Sequence, residues 1–142
     1  MALLETSIRT LTHRMPKVIT PKAHAIIDYA TAGSFFLMGA LFWRRNKRAA
    51  VASMALGAAE TATAMLTDYP GGISPAISFK THGKIDAGMA GMIGLVPTLL
   101  VFGGKSEAAF FRGQALAMAA VTAMTDFEAG SRKQPRRGRR AA

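Results

Sequence analysis

Residues 22–28 read KAHAIID, and the same pattern returns as KTHGKID at residues 80–86, 58 positions further along the chain. A second pair of segments has the same offset, because residues 67–69 read TDY and residues 125–127 read TDF. The matched positions include a histidine and an aspartate that lie within apolar stretches. An internal period of this size indicates that one supersecondary unit is used twice.

The apolar stretches around these segments predict what the unit is. From Thr20 to Trp43 the chain is mostly apolar for about 23 residues, enough for a helix to cross a hydrocarbon layer of about 30 Å. Thr20 and Pro21 are typical of a helix start, and Trp43 is typical of a membrane interface. A short basic turn follows, and a second apolar stretch ends at the turn sequence YPGG, residues 69–72. Each unit is therefore predicted to be a hairpin of two transmembrane helices.

The predicted fold is all-α, with four transmembrane helices in two hairpin repeats of parallel orientation. The chain divides into an amphipathic N-terminal segment (1–19), hairpin repeat 1 (20–70), a linker (71–77), hairpin repeat 2 (78–128) and a disordered basic C-terminal tail (129–142). Ser78 takes the place of Thr20 as the predicted helix cap of the second unit. Gly88, Gly91 and Gly94 follow a three-residue spacing, which predicts close packing of the third helix on a neighbour.

The distribution of charge gives the orientation and the partners. The net charge is +10, and twelve of the eighteen Lys and Arg residues fall on the side of the termini and the linker. This bias predicts cytoplasmic termini. The predicted partners are the lipid bilayer, anionic lipid headgroups for the basic termini, and other membrane subunits or further copies of this chain. The basic tail is typical of a solvated segment, so no nucleic acid is expected as a partner.

One histidine and two aspartates of each unit form the candidate site. A histidine and an aspartate four residues apart lie on one helix face, and the second aspartate ends the partner helix on the same side. An acid is disfavoured at a helix C-terminus, so these end-of-helix acids are expected to pair with the histidines, or with Lys22 and Lys80, within each hairpin. The predicted polar cluster, at one membrane face, consists of His24, Asp28, Asp68, His82, Asp86 and Asp126.

Glu60 is a further acid, predicted to lie inside the membrane. Its counterpart in the second unit is Met118. Ionisable groups within membrane helices are costly and mark ion or proton pathways in many membrane proteins. Because Glu60 lies eight residues before Asp68, the two side chains are expected on roughly one helix face, leading from the polar cluster toward the middle of the membrane.

Three interpretations of the cluster remain open. It is a structural clasp between helices, as in an accessory subunit of a membrane complex, or it is a site for binding or translocating ions or protons. In the third interpretation, the two histidines bind haem iron, or histidines and carboxylates together hold Zn, Mn or Fe. The chain has no cysteine, which excludes thiolate metal sites and disulfides. No nucleophile elbow, phosphate loop, zinc-protease motif or dinucleotide fingerprint is present. No catalytic residue is predicted, and a non-enzymatic role without a cofactor is favoured.

The plan of repeated two-helix units, with Asp28 and Asp86 near the start of each first helix, resembles the small bacterial membrane proteins of the SPW-repeat family. The Ser-Pro-Trp signature of that family is not present in this chain. The resemblance implies a multi-pass membrane topology and no particular chemistry. The compactness and composition of the chain predict a bacterial protein, and hence an inner membrane as its location.

Overall fold

A computed structural model describes residues 15–102 and 104–129. Over these residues the chain forms four helices: α1 (Pro21–Phe42), α2 (Lys47–Leu66), α3 (Phe79–Leu99) and α4 (Lys105–Met124). Two short strands, β1 (Thr67–Asp68) and β2 (Ile77–Ser78), lie between α2 and α3. The predicted all-α class is confirmed. The tail and most of the predicted amphipathic segment lie outside the described residues.

The helix starts are set by side-chain caps. The Thr20 hydroxyl accepts a hydrogen bond from the backbone N–H of Ala23 at 3.2 Å, with Pro21 as the first helical residue. The Ser78 hydroxyl accepts in the same way from the N–H of Thr81 at 3.1 Å. Both predicted caps are confirmed. Such caps satisfy N–H groups that have no partner within the helix.

Each helix packs mainly on its neighbour in sequence, so that α1 pairs with α2 and α3 pairs with α4. Two glycines permit the close approach of the first pair. A Cβ atom at Gly57 would lie 3.2 Å from the carbonyl oxygen of Ala32, and one at Gly39 would lie 2.8 Å from Cγ of Met54. The predicted packing role of Gly88 and Gly91 is wrong, because both are exposed and a Cβ at either would have no neighbouring atom within 4 Å among the described residues.

The two hairpins are joined by reciprocal backbone pairing at one end of the bundle. Thr67 at the end of the first hairpin pairs in parallel with Ile77 at the entrance of the second. Ile19 at the entrance of the first hairpin pairs in parallel with Thr125 at the end of the second. The positions in these two pairs are related by the 58-residue offset. The entrance of each hairpin is thus held against the exit of the other.

The interior and the surface of the bundle are both apolar. Phe35, Ile93 and Phe111 are completely buried in the core, while large apolar side chains are exposed on all four helices, among them Ile26, Leu37, Val51, Leu95, Leu99 and Leu116. Within the described part of the chain, two helices are long and apolar enough to cross a membrane, namely α1 and α2. The second hairpin falls short of this criterion because it carries more polar residues, among them Lys80, His82, Lys84 and Asp86 in α3 and Lys105, Glu107, Arg112 and Gln114 in α4.

Candidate functional site

Four of the six predicted cluster residues meet in the interior, at the end of the bundle where the hairpins are joined. They are His24 and Asp28 from α1 and His82 and Asp86 from α3, and none is more than 3 % exposed. Because the two members of each pair are four residues apart, each helix presents them on one face. The structure brings the two faces together, so that ligand atoms of all four side chains lie within 4.8 Å of one another.

The Nε2 atoms of the two histidines lie at the centre of this arrangement, 3.2 Å apart. His24 Nε2 is 3.0 Å from Oδ2 of Asp86 and 3.3 Å from Oδ1 of Asp28. His82 Nε2 is 3.1 Å from Oδ2 of Asp86 and 3.3 Å from Oδ2 of Asp28. Each histidine therefore contacts both carboxylates, one from its own hairpin and one from the other.

Threonine hydroxyls fix the orientation of both imidazole rings. Nδ1 of His24 is 2.8 Å from Oγ1 of Thr125, and Nδ1 of His82 is 2.7 Å from Oγ1 of Thr67. Each hydroxyl gives its single hydrogen to the backbone carbonyl four residues earlier, at 2.7 Å for Thr125 and 2.6 Å for Thr67. The hydroxyl oxygens must therefore accept hydrogen bonds from the ring Nδ1–H groups. In the neutral rings, this leaves both Nε2 lone pairs facing the centre of the cluster.

The two carboxylates differ in their remaining contacts. The Tyr69 hydroxyl donates a hydrogen bond to Oδ2 of Asp28 at 2.7 Å. Burial and this contact with Asp28 raise the pKa of Tyr69 above its usual range, so the phenol keeps its proton and remains a donor. The position related to Tyr69 by the 58-residue offset is Phe127, which has no hydroxyl. Oδ1 of Asp86 correspondingly has no hydrogen-bond partner within residues 15–102 and 104–129.

Aromatic rings enclose the cluster. The rings of Phe79 and Phe127 lie edge-on to His24, with centroids 5.3 and 5.4 Å away, and the Tyr69 ring lies 5.4 Å from His82. Phe127 reaches this position because residue 83 is glycine, since a Cβ there would lie 2.7 Å from the phenyl ring. Such an apolar shell excludes water and strengthens electrostatic interactions within the site.

The donor set fits a divalent transition-metal ion. Imidazole nitrogen and carboxylate oxygen are ligands of Zn²⁺, Fe²⁺ and Mn²⁺. With metal–ligand bonds of about 2.0 Å, neighbouring ligand atoms of a tetrahedral site are about 3.3 Å apart. The five nitrogen–oxygen and nitrogen–nitrogen distances described above range from 3.0 to 3.3 Å, with the two distances to Asp28 ending on different oxygens. One ligand atom from each of the four residues lies within 4.8 Å of the others, so binding would draw the set slightly closer together. Axial ligation of haem by the two histidines would place their nitrogens on opposite sides of the iron ion, about 4 Å apart. Here the two Nε2 atoms are 3.2 Å apart.

Asp68 and Asp126 lie outside this group. Asp68 is exposed and pairs through its backbone with Ser78, while a carboxylate oxygen of Asp126 accepts from the N–H of Glu128 at 3.1 Å. The predicted partnership of the histidines with these acids within each hairpin is wrong, because the preceding threonines bind Nδ1 and do so from the other hairpin. Lys80 pairs with Glu128 at 2.8 Å rather than with a cluster residue. Thr67 and Thr125 are not among the site residues predicted from the sequence, although both belong to the repeated segments TDY and TDF.

Glu60 is buried in α2, with 1 % of its surface exposed. Its Oε2 atom has no hydrogen-bond partner within the described residues. At the opposite end of the bundle, the buried side chain of Glu107 accepts from the Ser106 hydroxyl at 2.8 Å and lies 3.8 Å from the Arg45 guanidinium.

Comparison of the chain with protein-family models, with curated proteins and with solved structures gives no match.

Proposed function

We propose that this protein is a small integral membrane protein whose four helices all cross the bilayer, and that its four-residue His/Asp cluster binds a divalent transition-metal ion. The observation that carries the metal proposal is the meeting of two Nε2 atoms and two carboxylates in a buried space, with both Nδ1 atoms already paired to threonine. The membrane proposal rests on the apolar side chains that the helices expose.

The exposed faces of the helices support a four-span arrangement. No charged side chain is exposed on α1 between Lys22 and Arg44, on α2 between Arg48 and Thr67, or on α3 between Lys84 and Leu100. On α4, Arg112 is the one exposed charge after the first turn, and a long arginine side chain reaches toward the interface. The central parts of α3 and α4 thus expose a mostly apolar surface, as those of α1 and α2 do. Such a surface favours contact with lipid rather than with water for all four helices.

The location follows from the same features. The distribution of Lys and Arg favours cytoplasmic termini, which places the cluster near the cytoplasmic face. Anionic headgroups are the expected partners of the basic segments. The duplicated-hairpin plan and its resemblance to SPW-repeat proteins favour a bacterial inner membrane.

Charge supports a divalent cation over hydrogen bonding alone. Two neutral imidazoles and two carboxylates carry a charge of −2, which one divalent cation balances. With neutral imidazoles and no cation, four acceptor groups would face one another, whereas protonated imidazoles would each supply one Nε2–H to share between two carboxylates 3.0 to 3.3 Å away. Buried acceptors without donors are destabilising by about 1–3 kcal/mol each, and a central ion satisfies all of them at once.

A structural role is the alternative, favoured by one observation. His24 contacts Asp86 and His82 contacts Asp28, so the cluster joins the two hairpins. In this interpretation both imidazoles are protonated and the ion pairs clasp the bundle, as in an accessory subunit of a larger membrane complex. The same experiment separates the two proposals.

The test is metal content and Zn²⁺ affinity of the purified protein in detergent. We expect one Zn²⁺ ion per chain by elemental analysis and equilibrium dialysis. Asp86→Asn should lower the affinity at least about 100-fold, the upper end of the loss seen for outer partners of metal ligands. Asp68→Asn is the matched control, because it removes an exposed carboxylate at the same end of the bundle, and it should leave affinity unchanged. A folded wild-type protein that binds none of Zn²⁺, Mn²⁺ and Fe²⁺ would contradict metal binding and support the structural clasp.

A further inference from the structure

A line of polar residues runs along the inner face of α2, away from the cluster. Its members recur at every seventh position: Thr67, Glu60, Ser53 and Asn46. Seven residues make two helical turns, so neighbouring members are about 10.5 Å apart along one side of the helix. Thr67, Glu60 and Ser53 are each at most 1 % exposed, and Asn46 is half-buried. Thr67 binds His82 and Asn46 caps α2, so Glu60 and Ser53 are the members whose burial these contacts do not explain.

The side chains of this line have unused hydrogen-bonding capacity. Oε2 of Glu60 and the hydroxyl of Ser53 have no hydrogen-bond partner in the described segments. A buried carboxylate without a partner is costly in any environment, and more so in a bilayer. Such groups are retained in membrane helices mainly where an ion or a proton visits them.

The second hairpin contains an internal control for this line. The positions related by the 58-residue offset to Ser53 and Glu60 are Phe111 and Met118 in α4, and both are buried. Because an apolar side chain fills the corresponding place in a helix of the same length, packing of a hairpin does not require an acid there. The acid at position 60 therefore has another role.

Glu60 lies inward from the cluster along α2. It is two helical turns from Thr67, whose hydroxyl binds His82, and Asp86 lies about one turn inward from His82 on α3. Oδ1 of Asp86 has no hydrogen-bond partner among the described residues, whereas Oδ2 faces the histidines. Asp86 and Glu60 therefore offer two carboxyl groups with unused oxygens, one at the cluster and one deeper in the bundle.

The line ends at an open polar depression at the far end of the bundle. Asn46 lines this depression together with Ser106, Glu107 and two basic residues, Arg45 and Lys105. Between Glu60 and Ser53, the core is closed by Phe35, which packs on Gly57. An ion that reaches Glu60 therefore needs a rearrangement of Phe35 to continue.

Building on the proposed metal function, we infer that Glu60 is a second, inner binding position for the same divalent cation, and that the protein transfers this cation from the His/Asp cluster into the membrane interior along α2. The transfer would be a ligand exchange, in which the ion would leave the two Nε2 atoms, keep Asp86 as a ligand and gain Glu60. The Glu60 carboxyl group would release its proton on binding the ion, and no oxidation state changes. Ser53 and the depression at Asn46 and Glu107 are the next polar groups on the route.

The test separates binding from transfer in wild type, Glu60→Met, Glu60→Gln and the control Met118→Leu. Zn²⁺ affinity is measured by equilibrium dialysis, and Zn²⁺ uptake is measured in protein-containing vesicles loaded with a zinc-sensitive dye. We expect all four proteins to retain the cluster affinity. Wild type and Met118→Leu should take up Zn²⁺, and the two Glu60 variants should fall to the leak rate of empty vesicles. Glu60→Gln keeps the shape of the side chain in case Glu60→Met does not fold.

Each other outcome contradicts a stated part of the inference. Full Zn²⁺ uptake by a folded Glu60 variant overturns the inner position. Loss of cluster affinity in both Glu60 variants places Glu60 in the outer site and overturns a separate inner one. A wild-type protein that binds Zn²⁺ without taking it up overturns transfer and leaves the metal-binding function intact, whereas a wild type that binds none overturns both.

Discussion

At the scale of single residues, two threonine hydroxyls determine what the histidines can do. Each hydroxyl hydrogen is committed to a backbone carbonyl, so each oxygen accepts from an imidazole Nδ1–H and directs Nε2 to the centre of the cluster. Without this second contact, either nitrogen of a neutral ring could carry the proton. The orientation of a metal-binding histidine commonly depends on such an outer partner.

Replacing Thr125 by valine tests this dependence. Thr125→Val keeps the shape of the side chain but leaves the Nδ1–H of His24 buried without an acceptor, which costs about 1–3 kcal/mol in the free energy of unfolding. We also expect Zn²⁺ affinity to fall about 10- to 100-fold. Thr125→Ser retains the hydroxyl and should stay close to wild type. Equal affinities for the valine and serine variants, measured by dialysis, would show that the hydroxyl has no part in metal binding.

The four central residues could be predicted from the sequence because the repeat marks them and the four-residue spacing puts each pair on one face. The threonines that bind the histidines could not be predicted in this way. A threonine at the end of a helix is common and carries no sign of a contact with the other hairpin. Asp68, one residue later, has the more conspicuous charge, but it follows the helix and is exposed.

At the scale of helices and strands, the site depends on how closely α3 meets the segment after α4. The Phe127 ring occupies the space that a side chain at residue 83 would need, with ring atoms 2.7 to 2.9 Å from a Cβ at that position. The same ring lies against His24 and Phe79. A change at residue 83 is thus transmitted to the cluster through an aromatic ring.

Gly83→Ala should destabilise the protein, and Gly88→Ala is its matched control on the same helix. Overpacking costs about 1–3 kcal/mol, which exceeds the gain of about 1 kcal/mol from replacing a helical glycine by alanine. At Gly88, no described atom lies within 4 Å of an added Cβ, so the substitution brings only the gain in helix propensity. Thermal unfolding in detergent should show a lower Tm for the first variant and an unchanged or higher Tm for the second. A Tm for Gly83→Ala at or above wild type would contradict the close contact.

The helices and their caps could be predicted because the signals that define them lie within each segment. These signals are the capping residues, the basic turns and the length of the apolar stretches. The role of the glycines in α3 could not be predicted, since a three-residue spacing defines a helix face without saying what covers it. Gly88 and Gly91 lie on an exposed face, and the close approach occurs between α1 and α2 at Gly39 and Gly57. The reciprocal pairing of strands joins segments far apart in sequence, and short polar segments give no pattern that predicts it.

At the scale of the whole molecule, the number of spans decides where the far end of the second hairpin lies. If all four helices cross the bilayer, the α1–α2 turn and the α3–α4 turn lie on one side, and residues 71–77 lie on the other. If only the first hairpin crosses, the α3–α4 turn lies on the same side as residues 71–77.

Single cysteines distinguish these arrangements, because the chain has none of its own. Arg44, Ile73 and Lys105 are exposed and suitable for replacement. If all four helices cross the membrane, a membrane-impermeant maleimide should label Arg44→Cys and Lys105→Cys from one side and Ile73→Cys from the other side, which the charge distribution predicts to be cytoplasmic. Labelling of Lys105→Cys from the same side as Ile73→Cys would contradict the four-span proposal.

The division of the cluster between two hairpins has a consequence during synthesis. A nascent chain of which only the first half has been made contains one histidine and one aspartate of the cluster, and it lacks Thr125, which binds that histidine. Since Thr125 follows α4, the four-residue cluster forms only after both halves are complete. If the cluster binds a metal ion as proposed, a truncated product should bind it poorly, and loading should follow completion of the chain.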